Sequence, residues 1–299
     1  TMMAISVAVW TLRIIAPYPS TKEAPYPRMM YLLAKERATA IGTAKTAISL
    51  IIFHMTVKLP RRSPRPHFSA KDNICAKGFQ ARAGSRILEG YSPPFDATAV
   101  RRMREEGAAL LGKTNMDEFG FGTFSTNSGY GIPRNPFDES RACGGSSGGA
   151  AAAACLLPGH AALGVSTGGS ISCPACFCGV IGLTPTYGRV SRHGLIDYGN
   201  SLDKIGLLVR DAALLRRWLP VISGPDPKDP TSCVQPTLSL SGREIGRLAI
   251  PREALVNLSP GVKVGFEKAM ERMEGEQGVH VKEVSMPSLR FALSAYYVL

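Results

Sequence analysis

Residues 143–170 read CGGSSGGAAAAACLLPGHAALGVSTGGS, in which two loops of glycine and serine flank an alanine-rich segment and a short apolar run. This pattern predicts a helix over 149–157 and a strand over 161–165 between the loops. Glycine lets backbone N–H groups approach a ligand or turn inward together as a set of donors. Such loops can form an oxyanion hole beside a serine, so we expect a catalytic site here.

The first loop, 144–148, resembles more than one known motif. A phosphate-binding loop needs a lysine after its glycines, and none follows here. The loop fits the G-x-S-x-G nucleophile elbow, which needs an acid and a downstream histidine, although its glycines repeat too densely for that motif. The available histidines are His160, His193 and His280. A flexible linker is disfavoured because the loop lies tightly between a predicted helix and a predicted strand.

Helix and strand patterns alternate outward from this stretch. We predict a helix that Asp96 caps and that runs into a strand over 108–112; its helical spacing is carried by Val100, Met103, Gly107 and Leu110. Further predicted elements are a helix over 211–222, a strand over 247–250, and a helix opened by Ser259-Pro260 with Val262, Phe266, Met270 and Met273 on one face. This alternation indicates an α/β fold with a mixed, largely buried sheet.

The charge distribution and the cysteine content limit the cellular compartments in which the chain is expected. Residues 1–68 hold ten lysines and arginines against Glu23 and Glu36, so this segment carries +8 of the net charge of +12. It is interpreted as a basic leader and possible transit segment, ending in a Pro/Arg linker over 59–68. The apolar stretch 47–55 is too short to span a membrane. Seven cysteines without paired spacing favour a reduced compartment: mitochondrial matrix, cytoplasm or plastid.

Three short motifs resemble the amidase-signature family over about 71–299. They are Lys71-Asp72-Asn73, the loop Gly144–Gly149, and Gly168-Gly169-Ser170-Ile171. The resemblance implies an α/β amidase-signature fold, with a mixed central sheet covered by helices on both faces, in a domain over 69–299. Five further segments are similar to the A subunits of glutamyl-tRNA(Gln) amidotransferases within that family: 112–119, 135–138, 185–192, 201–206 and 223–227.

The resemblance implies a glutaminase mechanism with a Ser-Ser-Lys triad. Ser170 attacks the amide carbonyl, Ser146 relays the proton, and Lys71 accepts it as a neutral amine. Burial must therefore lower the Lys71 pKa, and the neighbouring Asp72 must not contact the amine. The implied oxyanion hole consists of the backbone N–H groups of Thr167, Gly168, Gly169 and Ser170. In the family a cis peptide precedes the residue at the position of Ser146, where Gly145 minimises crowding.

The same resemblance implies partners. The chain itself would need no cofactor, because ATP and Mg²⁺ act in the amidotransferase B subunit, to which the ammonia passes. A small C-type or fungal-type subunit would complete the complex, and Glu-tRNA(Gln) would be bound mainly through these partners. The mitochondrial matrix is the expected location, with cytoplasm and plastid as alternatives.

Some positions depart from the family pattern. Ser166 stands where the family has Asp, and Ser172 and Cys173 stand where it has Arg and Gln. The segment 291–299 resembles a helix from the middle of the family's domain, so the fold is expected to be incomplete at the C-terminus. These departures keep two alternatives open: a free-standing amidase for small amides, and a catalytically degenerate scaffold.

Three further features are interpreted as having no catalytic or metal-binding role. The spacing of Cys173, Cys176 and Cys178 lacks a second ligand pair, and its surroundings suggest a buried helix, so zinc binding is disfavoured. Lys113 has no nearby serine nucleophile and is expected to support the structure. His193 is expected at the surface or against a neighbouring residue.

Overall fold

The computed structural model describes residues 52–53, 66–234, 246–277 and 279–298. The predicted leader and linker lie outside the described residues except at Ile52–Phe53 and from Pro66 onward, as does most of the apolar stretch 47–55. The described residues group into two compact units, one up to Val234 and one from Gly246.

A six-stranded mixed sheet forms the centre of the first unit, in the order β1-β3-β2-β6-β8-β7. Its strands are β1 Ile52–Phe53, β2 His67–Lys71, β3 Ala109–Thr114, β6 His160–Ser166, β7 Ile181–Leu183 and β8 Lys204–Val209; β4 Arg134–Asn135 and β5 Asp138–Ala142 pair separately as an antiparallel ribbon. Strand β2 runs parallel to both β3 and β6, whereas the β1–β3, β6–β8 and β7–β8 pairs are antiparallel. The predicted mixed sheet is confirmed.

Helices cover both faces of this sheet. They are α1 Thr98–Glu105, α2 Gly148–Leu156, α3 Ser172–Phe177 and α4 Ala212–Ile222. Every residue of β6 and β8 is buried, as expected for central strands with helices on either side. One core joins α1 and α4 to the sheet through Met103, Trp218 and Leu163. The other joins the alanines of α2 and Ile171 to the opposite face.

The start of α1 corrects one prediction. Helix α1 begins at Thr98, and its N-cap residue is Ala97 rather than Asp96. The Asp96 carboxylate instead accepts hydrogen bonds from the Lys77 backbone N–H at 2.7 Å and from Arg104. Because the N-cap is one residue later than predicted, the Asp96 carboxylate lies outside the capping position and forms an ion pair with Arg104 of the same helix.

The end of α1 corrects the predicted extent of this helix. The helix stops at Glu105, and Gly107 has a positive φ of 85°. Glycine adopts that conformation without the steric cost that other residues pay, so it ends the helix. Leu110 therefore lies in β3, within the strand predicted over 108–112, and not in the helix whose spacing it continues. The helix predicted over 211–222 is confirmed as α4. The Asp211 side chain accepts a hydrogen bond from the Leu214 N–H in its first turn.

The second unit is small. Strands β9 Arg247–Pro251 and β10 His280–Val284 pair in parallel, and α5 Pro260–Gln277 connects them; α6 Ala292–Val298 follows. Met270 and Met273 of α5 are buried with Ile250, as the predicted apolar face requires. Val262 is exposed, so the buried face is shorter than the sequence pattern suggested.

No helix within the described ranges is both long enough and apolar enough to cross a membrane.

Candidate active site

The site lies at one edge of the central sheet. Lys71 is the last residue of β2, and the parallel neighbour β6 ends at Ser166. Parallel strands bring their carboxyl ends to the same edge, where ligand sites commonly form. The loop 143–147 enters α2 beside this edge, and the loop 167–171 follows β6. The Ser147 N–H donates to the Ser170 carbonyl at 3.2 Å, which joins the two loops.

Lys71 is directly bonded to one of the two expected serines. Its Nζ donates to Ser146 Oγ at 2.7 Å and to the Val165 carbonyl at 3.2 Å. The side chain is almost completely buried, and burial lowers the Lys71 pKa to about 7, against the opposing effect of the Asp117 and Asp203 carboxylates. A substantial fraction of this lysine is therefore a neutral amine near pH 7, and a neutral amine can accept a proton.

Asp72 faces other cations. Its carboxylate lies 3.7 Å from Lys113 Nζ and 3.8 Å from Arg82 Nε, and it accepts from the Gly84 N–H. Lys113 also donates to the Asp72 carbonyl at 3.1 Å. This buried network agrees with the expectation that Asp72 leaves the Lys71 amine free and that Lys113 supports the structure.

The loop around Ser146 is closely packed. The peptide bond between Gly145 and Ser146 is cis, in agreement with the expectation from the family. A Cβ on Gly145 would lie 2.2 Å from an Asp117 carboxylate oxygen and 2.6 Å from the Ser125 nitrogen, so glycine is required here. The Asp117 carboxylate accepts from the Ser125 and Asn127 N–H groups and thereby holds the neighbouring loop against Gly145.

The second serine loop is anchored at its end. Ser170 is half-buried, and the next residue, Ile171, is fully buried in the core. The Gly169 carbonyl accepts from the Cys173 N–H at 2.8 Å and from the Ser172 hydroxyl at 3.3 Å. The hydrogen bonds of the described residues do not include one between the Ser146 and Ser170 hydroxyls. The structure therefore joins Lys71 to Ser146 and places the Ser170 loop beside them.

The three departures from the family pattern all lie in this loop or at its ends. Ser166 ends β6 and is paired in register with Lys204 of β8. The Ser172 hydroxyl donates a hydrogen bond to the Gly169 carbonyl. The Cys173 thiol contacts the Thr123 carbonyl at 3.5 Å. Each substituted position therefore has a defined place in the folded chain.

Sequence reasoning missed three charged residues of the site. Asp117 and Asp203 are the carboxylates that oppose the lowering of the Lys71 pKa, and Lys204 donates to the Thr167 carbonyl at 2.9 Å. All three lie in segments, 112–119 and 201–206, that resemble the family. That resemblance was the available signal, but it assigned them no role.

Two of the three candidate histidines, His160 and His193, have contacts other than Ser146 and Ser170. His160 Nε2 lies 2.9 Å from Ser69 Oγ in the core, and burial lowers its pKa to about 3. His193 stacks on Phe95, and His280 lies in the second unit. Because the hydrogen-bond partner of the Ser146 hydroxyl is Lys71, a Ser-His elbow does not describe this site.

The cysteine cluster shows no metal geometry. Cys173, Cys176 and Cys178 lie on and just after the short helix α3, and none of them forms a disulfide bond. Over the described parts of the chain, no three His, Cys, Asp or Glu side chains are grouped to hold a metal ion.

Comparison with known proteins identifies the family. The Amidase family profile matches residues 67–299. The A subunit of glutamyl-tRNA(Gln) amidotransferase from Thermus thermophilus is 49% identical over 235 residues, covering 77% of this chain and 50% of that protein. Its counterpart from Symbiobacterium thermophilum is 46% identical over 237 residues, covering 77% and 48%. The chain thus spans about half the length of these relatives.

A solved structure gives the same result. The crystal structure of the glutamyl-tRNA(Gln) amidotransferase A subunit from Thermotoga maritima superposes with a TM-score of 0.78 at 34% identity, covering 91% of this chain and 62% of that one. Sequence, fold and the lysine–serine site agree, and this chain belongs to the amidase family.

Proposed function

We propose that this chain is the glutaminase subunit of a glutamyl-tRNA(Gln) amidotransferase. It would hydrolyse glutamine to supply ammonia for converting Glu-tRNA(Gln) to Gln-tRNA(Gln). The relatives with that name support the assignment, at 46–49% identity over 77% of the chain. The observation that carries the chemistry is the 2.7 Å bond from Lys71 to Ser146, made by a lysine whose pKa is lowered to about 7.

The chemistry begins with a proton relay. Neutral Lys71 takes the proton of Ser146 while Ser146 takes that of Ser170, and the Ser170 oxygen forms a bond to the side-chain carbonyl carbon of glutamine. The same relay returns the proton to the leaving nitrogen, so ammonia departs and an acyl-enzyme remains. Water then attacks the acyl group and releases glutamate.

The negative oxygen of the tetrahedral intermediate needs donors. The proposed ones are the backbone N–H groups of Thr167, Gly168, Gly169 and Ser170. Removing a single donor from such a site typically lowers the rate by about 100- to 1,000-fold. The Gly169 carbonyl accepts hydrogen bonds from the first turn of α3, which holds the peptide group that carries the Ser170 N–H.

Labelling with a fluorophosphonate, followed by peptide mass analysis, tests the nucleophile. We expect an adduct at Ser170 in the parent chain and none in Ser170→Ala. Ser140→Ala serves as the control, because Ser140 is an exposed serine on β5. A folded parent chain that carries no adduct on Ser170 would contradict the proposal.

The proposed partners are the amidotransferase B subunit, which uses ATP and Mg²⁺, and a small C-type or fungal-type subunit; the proposed location is the mitochondrial matrix. The complex should release ammonia from glutamine without ATP but should form Gln-tRNA(Gln) only with ATP. Glutamine hydrolysis at full rate by the isolated chain would instead indicate a free-standing amidase.

A catalytically inactive scaffold is the second candidate, which Ser166 and Ser172 favour. In that case the double change Ser166→Asp and Ser172→Arg should raise the labelling rate strongly. An equal rate in the parent chain and the double variant would exclude this candidate, provided that the parent labels.

A further inference from the structure

Lys204 contacts the nucleophile loop from the neighbouring strand. It is the first residue of β8, it is 5% exposed, and its Nζ donates to the Thr167 carbonyl at 2.9 Å. Its partner across the sheet is Ser166, the last residue of β6. The ammonium therefore reaches past the end of β6 to the first residue of the loop.

That carbonyl shares a rigid plane with a proposed oxyanion donor. The Thr167 C=O and the Gly168 N–H belong to the same peptide group, which is planar, and in a trans peptide the two bonds point in opposite directions. The cis peptide bond found among the described residues is Gly145–Ser146, so the 167–168 bond is trans. A donor that fixes the Thr167 carbonyl also fixes the direction of the Gly168 N–H.

We propose that Lys204 is a positioning residue that aims the Gly168 N–H into the oxyanion hole. This inference rests on the proposed function. Lys204 does not contact the substrate or the reacting atoms; it acts through the peptide group between Thr167 and Gly168.

The loop needs such support because it contains two adjacent glycines. Gly168 is exposed and has no side chain to pack, and glycine samples a wide range of backbone angles. The peptide between Gly169 and Ser170 is held from α3, since the Gly169 carbonyl accepts from Cys173 and Ser172. Lys204 provides the corresponding support at the beginning of the loop.

Asp203, the residue before Lys204, forms hydrogen bonds to Tyr198 and Gly199, which lie in the loop beside Thr167. The Asp203 carboxylate accepts from the Tyr198 N–H at 2.7 Å and from the Gly199 N–H at 3.1 Å. Gly199 in turn lies beside Thr167, because a Cβ on this glycine would be 3.5 Å from the Thr167 methyl carbon. Burial lowers the Lys204 pKa, but the Asp203 carboxylate opposes this shift and so favours the charged donor.

Three variants test the role of Lys204 in the full chain with its partner subunits. Lys204→Met removes the donor, Lys204→Gln retains an N–H donor without the charge, and Lys228→Met makes the same change at an exposed lysine. We expect Lys204→Met to lower kcat and the rate of fluorophosphonate labelling by roughly 10- to 100-fold, below the cost of removing a donor outright, with KM nearly unchanged. Lys204→Gln should recover most of the rate, and Lys228→Met should match the parent.

The outcomes distinguish a positioning role for Lys204 from a purely structural one. If the parent labels Ser170 and folded Lys204→Met labels equally fast, the role of Lys204 is wrong while the proposed function stands. A parent chain without labelling overturns the proposed function and this role together. Should Lys204→Met fail to fold, Lys204→Ala is measured instead: slower labelling with KM unchanged in a folded sample supports the inference, and labelling at the parent rate contradicts it.

Discussion

Lys71 is subject to two opposing influences. Burial disfavours its ammonium form, whereas the Asp117 and Asp203 carboxylates favour it. Burial is the larger effect, and the pKa falls to about 7. Both carboxylates are themselves buried, which raises their pKa, but each accepts two backbone N–H bonds that stabilise its charged form. The base therefore titrates close to neutral pH.

This predicts the pH dependence of Ser170 labelling. Below pH 7 Lys71 is protonated and cannot accept a proton, so the rate should fall about tenfold per pH unit; above pH 7 it should level off. Asp203→Asn removes one charge that favours the ammonium, so the midpoint should move to lower pH. The measurement is the labelling rate between pH 5 and 9.

Glu139→Gln is the control for that experiment, since Glu139 is exposed on β5. It removes an acidic charge away from Lys71 and should leave the midpoint unchanged. A midpoint in Asp203→Asn that stays with the parent, or moves to higher pH, would show that Asp203 does not influence the base in this way.

At the scale of single elements, α4 shows how one side chain holds a helix to the sheet. Trp218 is fully buried in the core that β2, β6 and α1 share. Its indole N–H has no hydrogen-bond partner among the described residues. The ring therefore contributes through its apolar contacts, while the buried N–H subtracts from that contribution.

We therefore predict different costs for two substitutions of Trp218. Trp218→Ala leaves a cavity and should reduce the free energy of unfolding by about 3–5 kcal/mol. Trp218→Phe keeps an aromatic ring and removes the unpaired N–H, so it should cost much less. Arg216→Ala, at an exposed position of the same helix, should change stability by about 0.5 kcal/mol or less. Urea unfolding followed by circular dichroism measures all three; equal costs for Ala and Phe would contradict this account.

The elements also show what sequence can predict. The helix over 149–157 and the strand over 161–165 were placed within one residue, because their apolar runs are long and glycines bound them. The change from helix to strand after α1 was predicted, but the helix end at Glu105 was not placed, because the helical spacing continues through Gly107 and Leu110. The β4–β5 ribbon was missed as well, because its polar residues carry no alternating pattern.

The site was predictable to a different extent. Lys71, Ser146 and Ser170 were located through short motifs that resemble the family. The contact of Lys204 with Thr167 joins residues 37 positions apart, and the effect of Asp117 on Lys71 depends on the burial of both. Such interactions follow from strand pairing and burial, which local patterns do not contain.

At the scale of the whole molecule, none of the seven cysteines, all within the described residues, forms a disulfide bond. Cys233 is exposed, Cys173 and Cys176 are half-buried, and the remaining four are buried: Cys75, Cys143, Cys155 and Cys178. Burial raises the pKa of the Cys75 and Cys155 thiols, which lowers the amount of reactive thiolate. The fold therefore does not depend on disulfide bonds.

Titration with a thiol reagent should follow this order. Cys233 should react first, Cys173 and Cys176 more slowly, and the four buried thiols only after unfolding. A reducing agent should leave the melting temperature unchanged, because no disulfide is broken. Rapid reaction of more than three thiols in the native chain, or a lower melting temperature on reduction, would count against the structure.

The spacing of the strands in the central sheet sets the distances between residues at the strand ends. Strand β6 ends at Ser166 where β8 begins at Lys204, and β2 ends at Lys71 along the same edge. Neighbouring strands are about 4.8 Å apart, a spacing that backbone hydrogen bonds maintain. The sheet, and not the loops, therefore determines the distance between Lys71 and Lys204. The two lysines thus form a fixed frame on the strands, whereas the two serines of the relay depend on how their loops pack against it.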